Sequence, residues 1–188
     1  MGLRGLTMIG FVLAGALIGL INSLSAAPLS GPSAVVNVAD TPTLTGRGAY
    51  NAGRAAMKGE KYDDAIRFFT AAIDSGQLDE KTLAMAYVNR GHAFVQELNH
   101  TEDEAFFKKA EADYASALAT SRTYGIFGFA GNFKIYAARF TGNPAYLGEA
   151  LVYFDKGIEL NPKSPNLYYG RARVYEAMGN RSAALSDV

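Results

Sequence analysis

The feature that most constrains this chain is a set of intervals. In "YNAGRAAMKGEKYDDAIRFFTAAI", residues 50–73, Gly53 is followed twelve residues later by Ala65, then four later by Phe69 and three later by Ala72. Steps of three and four put side chains on one face of a helix, so Ala65, Phe69 and Ala72 share a face. A related run, "LYYGRARVYEAMGNRSAALSDV", occupies residues 167–188, with Tyr168, Ala172, Tyr175, Gly179 and Ala184 in an aromatic, small, aromatic, turn, small order. Between the two runs, Gly91 precedes Ala110 by nineteen residues and Gly131 precedes Ala150 by nineteen, each seven more than in the first run. No proline interrupts residues 46–143. With apolar residues recurring at helical spacing, the body is predicted to be all-α.

These intervals resemble the tetratricopeptide repeat, a helix-turn-helix unit with a period of 34 residues. The resemblance covers about residues 46–188 in four units, 46–79, 84–123, 124–164 and 165–188, the last incomplete. It implies a right-handed α-α superhelix, a solenoid of antiparallel helix pairs. The run "GIELNP", residues 157–162, is similar to the family's usual close, where Pro162 stops one helix before the next. The extra residues fall between the two helices of a unit, in "ELNHTEDEA" and "TGNPAYLGEA". Seven residues are about two helical turns, so each helix of a stretched pair is expected to grow by about one turn. The resemblance also implies that Gly53, Gly91, Gly131 and the corresponding Ala172 let the two backbones of a pair approach closely. Ala65, Ala110, Ala150 and Ala184 then lie opposite, and Phe69, Tyr114 and Phe154 fill the space between pairs. Such arrays normally close with a polar capping helix. The fourth unit shows none, so its last face is expected to fray, to belong to a longer chain, or to dock on another molecule, a second copy included.

Ahead of the repeats, a single charge, Arg4, precedes an apolar run of 14 residues from Met8 to Ile21. This is short of the roughly 20 residues that span a bilayer. Residues 1–27 read as a secretory signal ending in small residues, which predicts an exported, periplasmic protein with no membrane insertion after cleavage. An uncleaved inner-membrane anchor is the alternative. Residues 28–45, with three of the six prolines, read as a flexible linker.

Composition narrows the function. The 18 basic and 18 acidic residues cancel, and neither sign forms a block, so nucleic acid is not an expected partner. The absence of cysteine removes disulfides, thiol nucleophiles, thiolate metal sites and a lipidated cysteine. No nucleophile elbow, phosphate loop, dinucleotide fingerprint or metalloprotease histidine pair occurs. The chain therefore reads as non-catalytic, without cofactor or resident metal. An oxygen-rich metal site at His92 and His100, with Glu97, Glu102 and Asp103 nearby, is a weighed alternative. The simpler reading of that acidic cluster is a helix start, with Thr101 and Glu104 as a capping box. Asp63 and Asp64 read as first-turn charges favoured by the helix dipole.

In proteins of this family the first helices line a concave groove that binds peptides or helices, and the resemblance carries that role onto particular positions here. The first unit offers Tyr50, Asn51, Arg54 and Lys58, and the second Val88, Asn89, His92 and Gln96. The third offers Phe129, Asn132 and Tyr136, and the fourth Tyr169, Arg173 and Glu176. The family's clamp for a chaperone's C-terminal carboxylate is matched only at Asn89. Tyr50 and Arg54 replace its first pair, and Gly125 and Phe129 its last. The expected function is an adaptor or scaffold that holds a protein or peptide partner, in the bacterial cell envelope. Self-assembly through the fourth unit is the alternative.

Overall fold

The structure, a computed structural model, describes residues 45–187. The expected export segment and all but the last residue of the linker lie outside the described residues. Among the described residues eight helices follow one another as four antiparallel pairs: α1 (Gly46–Lys58) with α2 (Tyr62–Asp74), α3 (Glu80–Thr101) with α4 (Glu104–Thr120), α5 (Tyr124–Thr141) with α6 (Ala145–Leu160), and α7 (Pro165–Ala177) with α8 (Arg181–Ser186). Among the described residues there is no strand, and no helix is long and apolar enough to cross a membrane. The architecture is the all-α solenoid of helix pairs implied by the sequence resemblance.

Local chemistry sets the ends. Thr45 caps α1 by accepting from the Gly48 amide at 3.2 Å, and Asp79 caps α3 through the Thr82 amide at 2.9 Å. Asp63 and Asp64 occupy the first turn of α2. The expected Thr101–Glu104 capping box is not formed. Thr101 is the last residue of α3, its hydroxyl donating to the Glu97 carbonyl, and α4 is capped by Asp103, which accepts from Ala105. A β-hydroxyl that can reach back one turn satisfies its own helix first. Left-handed residues end both stretched first helices, Glu102 at φ 58° after α3 and Gly142 at φ 69° after α5.

The inserted residues lengthen the helices, but unequally. Gly53 lies five residues before the end of α1, whereas Gly91 and Gly131 lie ten before the ends of α3 and α5. Ala65 lies three residues into α2, against six for Ala110 in α4 and five for Ala150 in α6. The first helix of each stretched pair thus gains more than a turn and the second less than one. The overhanging ends are packed with aromatic rings. Phe107 stacks on Phe140 at 5.2 Å and on Phe133 at 5.8 Å and meets Tyr146 at 6.4 Å, while Phe94 lies 6.0 Å from Phe106.

Within a pair, the glycine accommodates a ring rather than a backbone. A methyl group at Gly53 would stand 2.7 Å from Phe69, and one at Gly131 would stand 2.8 Å from Phe154. At Gly91 the nearest atom is Tyr114, at 3.1 Å. The large side chain expected between pairs therefore also occupies the space over its own first helix. Phe154 is fully buried and is covered on its other side by Gly170 of α7, so one ring is held between two glycines from successive units.

Each junction between pairs carries one cation that ties three helices. Arg90 of α3 donates from Nε and Nη2 to both Asp113 oxygens in α4, at 2.9 and 2.7 Å, and from Nη1 to Thr70 in α2 at 3.0 Å. Lys134 of α5 reaches Glu149 in α6 at 2.8 Å and Glu111 in α4 at 3.1 Å. Arg171 of α7 pairs with both oxygens of Asp187, just past α8, and with Asp155 in α6 at 2.7 Å. The Asp113 hydrogen bonds hold the Arg90 guanidinium above its ordinary pKa. Burial pushes the Asp113 carboxyl up against the pull of Arg90. Burial lowers Lys134, but its two carboxylates outweigh this and leave it raised.

Replacing Asp113 with Ala strands the Arg90 charge and is expected to cost about 3–5 kcal/mol, whereas Arg90→Met with Asp113→Leu should be close to neutral, both read from urea unfolding. Gly131→Ala forces a methyl into the Phe154 ring and should destabilise by about 1–3 kcal/mol. Gly148→Ala, in α6 with nothing within 4 Å of the new methyl, should stabilise by up to about 1 kcal/mol in the same assay.

Candidate functional site

The four first helices form one continuous inner face, and polar bridges join each to the next. Asn89 of α3 donates to the Tyr50 hydroxyl of α1 at 3.2 Å. Tyr136 of α5 donates to Asn99 of α3 at 2.8 Å, and Arg173 of α7 donates to Asn132 of α5 at 3.0 Å. Arg54 lies over the Tyr50 ring at 6.0 Å from its centroid. These contacts exist because Tyr50 and Arg54, Asn89 and His92, Asn132 and Tyr136, and Tyr169 and Arg173 recur at steps of three or four along their helices.

Of the positions read from sequence, Tyr50, Asn89, Gln96, Phe129, Tyr136 and Arg173 are half-buried on this face, and Asn51, Arg54, Lys58, His92, Asn132, Tyr169 and Glu176 are exposed. Val88 is not on it. At 1 % exposure its side chain is in the core with Leu98 and Tyr114, because it follows the buried seam of α3 through Ala84, Gly91, Val95 and Leu98.

His92 opens to solvent at its edge but is hemmed in by protein, with Tyr114 at 6.0 Å and Phe129 at 6.1 Å, both edge-on. This desolvation lowers its pKa, so it is a neutral ring at neutral pH. His100 lies eight residues along and packs edge-on against Tyr62 at 5.4 Å. Among the described residues no three His, Asp or Glu side chains converge as metal ligands would.

Two hollows occur where the face reaches the starts of its helices. One, of about 390 Å³ between α5 and α7, is lined by Tyr124, Gly125, Gly128, Phe129, Asn132, Ser164, Asn166, Leu167, Tyr169, Gly170 and Arg173. The other, of about 330 Å³ between α3 and α5, is lined by Lys81, Ala84, Met85, Ser121, Thr123, Tyr124, Gly125 and Ile126. The sequence reading reached Phe129, Asn132, Tyr169 and Arg173, named Gly125 only as a departure from the family's clamp, and missed the rest. Stepping back one turn along the same stripe from Phe129, Tyr169 and Asn89 leads to Gly125, Asn166 and Met85, so a helical signal for them was present.

A family model of the tetratricopeptide repeat matches residues 153–185, spanning the end of α6, α7 and α8. Taken with the four helix pairs and their shared small-and-aromatic spacing, this match makes the chain similar to tetratricopeptide-repeat proteins, with one repeat matched directly at residues 153–185. It is similar to human tetratricopeptide repeat protein 6, with 29% identity over 130 residues, covering 68% of this chain and 22% of that protein. The chain thus spans less than a quarter of that relative. Among solved structures it is similar to the Arabidopsis OM64 TPR domain, with a TM-score of 0.55 and 21% identity over 72% of this chain and 98% of the other. A thermophilic TPR protein of Thermus thermophilus also matches, at a TM-score of 0.46 and 16% identity, over 76% of this chain and 88% of that one.

The lowered pKa of His92 gives these repeats a pH dependence of definite sign. The unfolded chain binds the proton near pH 6.5 and the folded chain only below that. The associated stability is complete above pH 6.5 and is lost as pH falls through the lowered folded value. His92→Gln should flatten this part of the curve of melting temperature between pH 7.5 and 5, leaving only the slope due to carboxylates.

Proposed function

We propose that this protein is a non-catalytic adaptor that holds a segment of a partner protein on the inner face of α1, α3, α5 and α7. The tetratricopeptide fold supports a role in protein–protein interaction, although fold alone names no partner. The observation that carries the reading is the chemistry of that face. Tyrosines and a phenylalanine supply contact area, Asn51, Asn89 and Gln96 can satisfy a bound backbone, and Arg54, Lys58 and Arg173 supply positive charge. The apolar run of residues 8–21 and the small residues that follow support export, and with it a place in the bacterial cell envelope. A second reading, association of two copies through the fourth pair, is favoured by the exposed apolar side chains of Leu185 and Met178, 68% and 50% accessible.

The adaptor reading is tested by capture from a bacterial envelope extract on the immobilised full chain beside its Arg54→Ala, Asn89→Ala variant, both checked for equal helicity. The expected outcome is a protein retained by the first and reduced at least tenfold on the second. Equal retention by both sinks the groove as the working surface. Loss of a concentration-dependent dimer on Leu185→Asp, seen by sedimentation, would favour the second reading.

A further inference from the structure

We infer, resting on the groove reading above, that the two hollows flanking Tyr124 act together as one two-chambered site for an extended, acidic segment of a partner protein. The segment places one apolar side chain on each side of Tyr124 and a carboxylate against Arg173. The hollows share Tyr124 and Gly125 as lining residues. Each is at the lower end of the roughly 300–1,000 Å³ typical of ligand pockets. Phe129, Leu167 and Tyr169 give one chamber an apolar wall, and Ala84, Met85 and Ile126 give the other. They lie in successive gaps between first helices, and packed helices stand about 8–10 Å apart. Side chains on one side of an extended chain recur about every 7 Å, so residues two apart can reach both.

The charge fixes the chemistry of the occupant. Among the described residues no carboxylate lines either hollow, and each holds one basic residue, Arg173 or Lys81. The cations that tie the helix pairs, Arg90, Lys134 and Arg171, each face a carboxylate. Arg173 is half-buried and, among the described residues, bonds only the neutral Asn132, whose amide in turn donates to the Gly128 carbonyl. Its charge is thus left for an incoming anion. Tyr124 and Tyr169 stand 46% and 61% exposed beside it. At Gly125 nothing stands within 4 Å of where a side chain would begin, so a ligand backbone can approach the helix closely.

The test probes the full chain against an array of nonapeptides randomised at five central positions, followed by fluorescence anisotropy of the selected sequences. The expected result is a motif with two apolar residues two positions apart beside Asp or Glu. Tyr124→Ala and Arg173→Gln should each weaken its binding at least tenfold, whereas Arg67→Gln on the outer side of α2 should leave it within twofold. Selected peptides that are lost on the Arg54→Ala, Asn89→Ala variant but unaffected by Tyr124→Ala and Arg173→Gln would overturn the two-chambered site while leaving the groove reading intact. Selection of apolar peptides without an acidic residue would overturn the role of Arg173. If no peptide is selected, both readings fail, and a dimer that Tyr124→Ala dissociates would then assign the hollows to a second copy of the chain.

Discussion

Everything in this solenoid depends on an aromatic ring of the second helix seated over a glycine of the first. Phe69 over Gly53, Tyr114 over Gly91 and Phe154 over Gly131 are three instances of one contact, and each ring is almost wholly buried. Because the glycine offers no side chain, the ring comes close against the first helix and the opposing alanines, Ala65, Ala110 and Ala150, close the rest of the interface with no measurable exposure. A glycine inside a helix costs about 1 kcal/mol against alanine. Burying a ring of this size returns more than that through apolar area and contact, so the local loss is accepted by the packed pair.

The pairs are then registered against one another by polar ties on one side and a shared face on the other. Arg90, Lys134 and Arg171 each join a first helix to its own partner and to the second helix of the preceding pair. These ties are partly desolvated, so their contribution to net stability is smaller than their geometry suggests, and their stronger effect is on which register the pairs adopt. The inner face is held more loosely, through single bridges such as Asn89 to Tyr50 and Arg173 to Asn132. A surface joined by single hydrogen bonds keeps its aromatic and basic groups accessible, as the role proposed for this face requires.

Much of the fold was legible in the sequence because it rests on intervals. The small and aromatic residues of the first unit recur in the same order in the last, and the helical step of three or four reads directly as a buried stripe. The lengthening of the middle units was also legible as two extra turns. Its division between the helices was not, since it depends on where Glu102 and Gly142 turn the chain, and a glutamate in a left-handed conformation leaves no mark in composition. Thr101 shows the same limit: the residues of a capping box were present, but the hydroxyl was taken by its own helix.

For the site, the sequence located the stripe and not its depth. Residues spaced along one helix, such as Asn89, His92 and Gln96, are related by the backbone alone, so their common face could be read without a structure. Val88 was misassigned because one residue separates the inner face from the core, an angle of about 100° that only packing against α4 resolves. The hollows beside Tyr124 and the three-helix ties at Arg90, Lys134 and Arg171 join residues 16 to 41 positions apart or more on different helices. The sequence by itself determined that the chain forms paired helices with a small-and-aromatic seam, because neighbouring turns enforce that pattern locally. Only the tertiary structure decided which charges meet and where the inner face is hollow, because those depend on the distance between helices that no local rule sets.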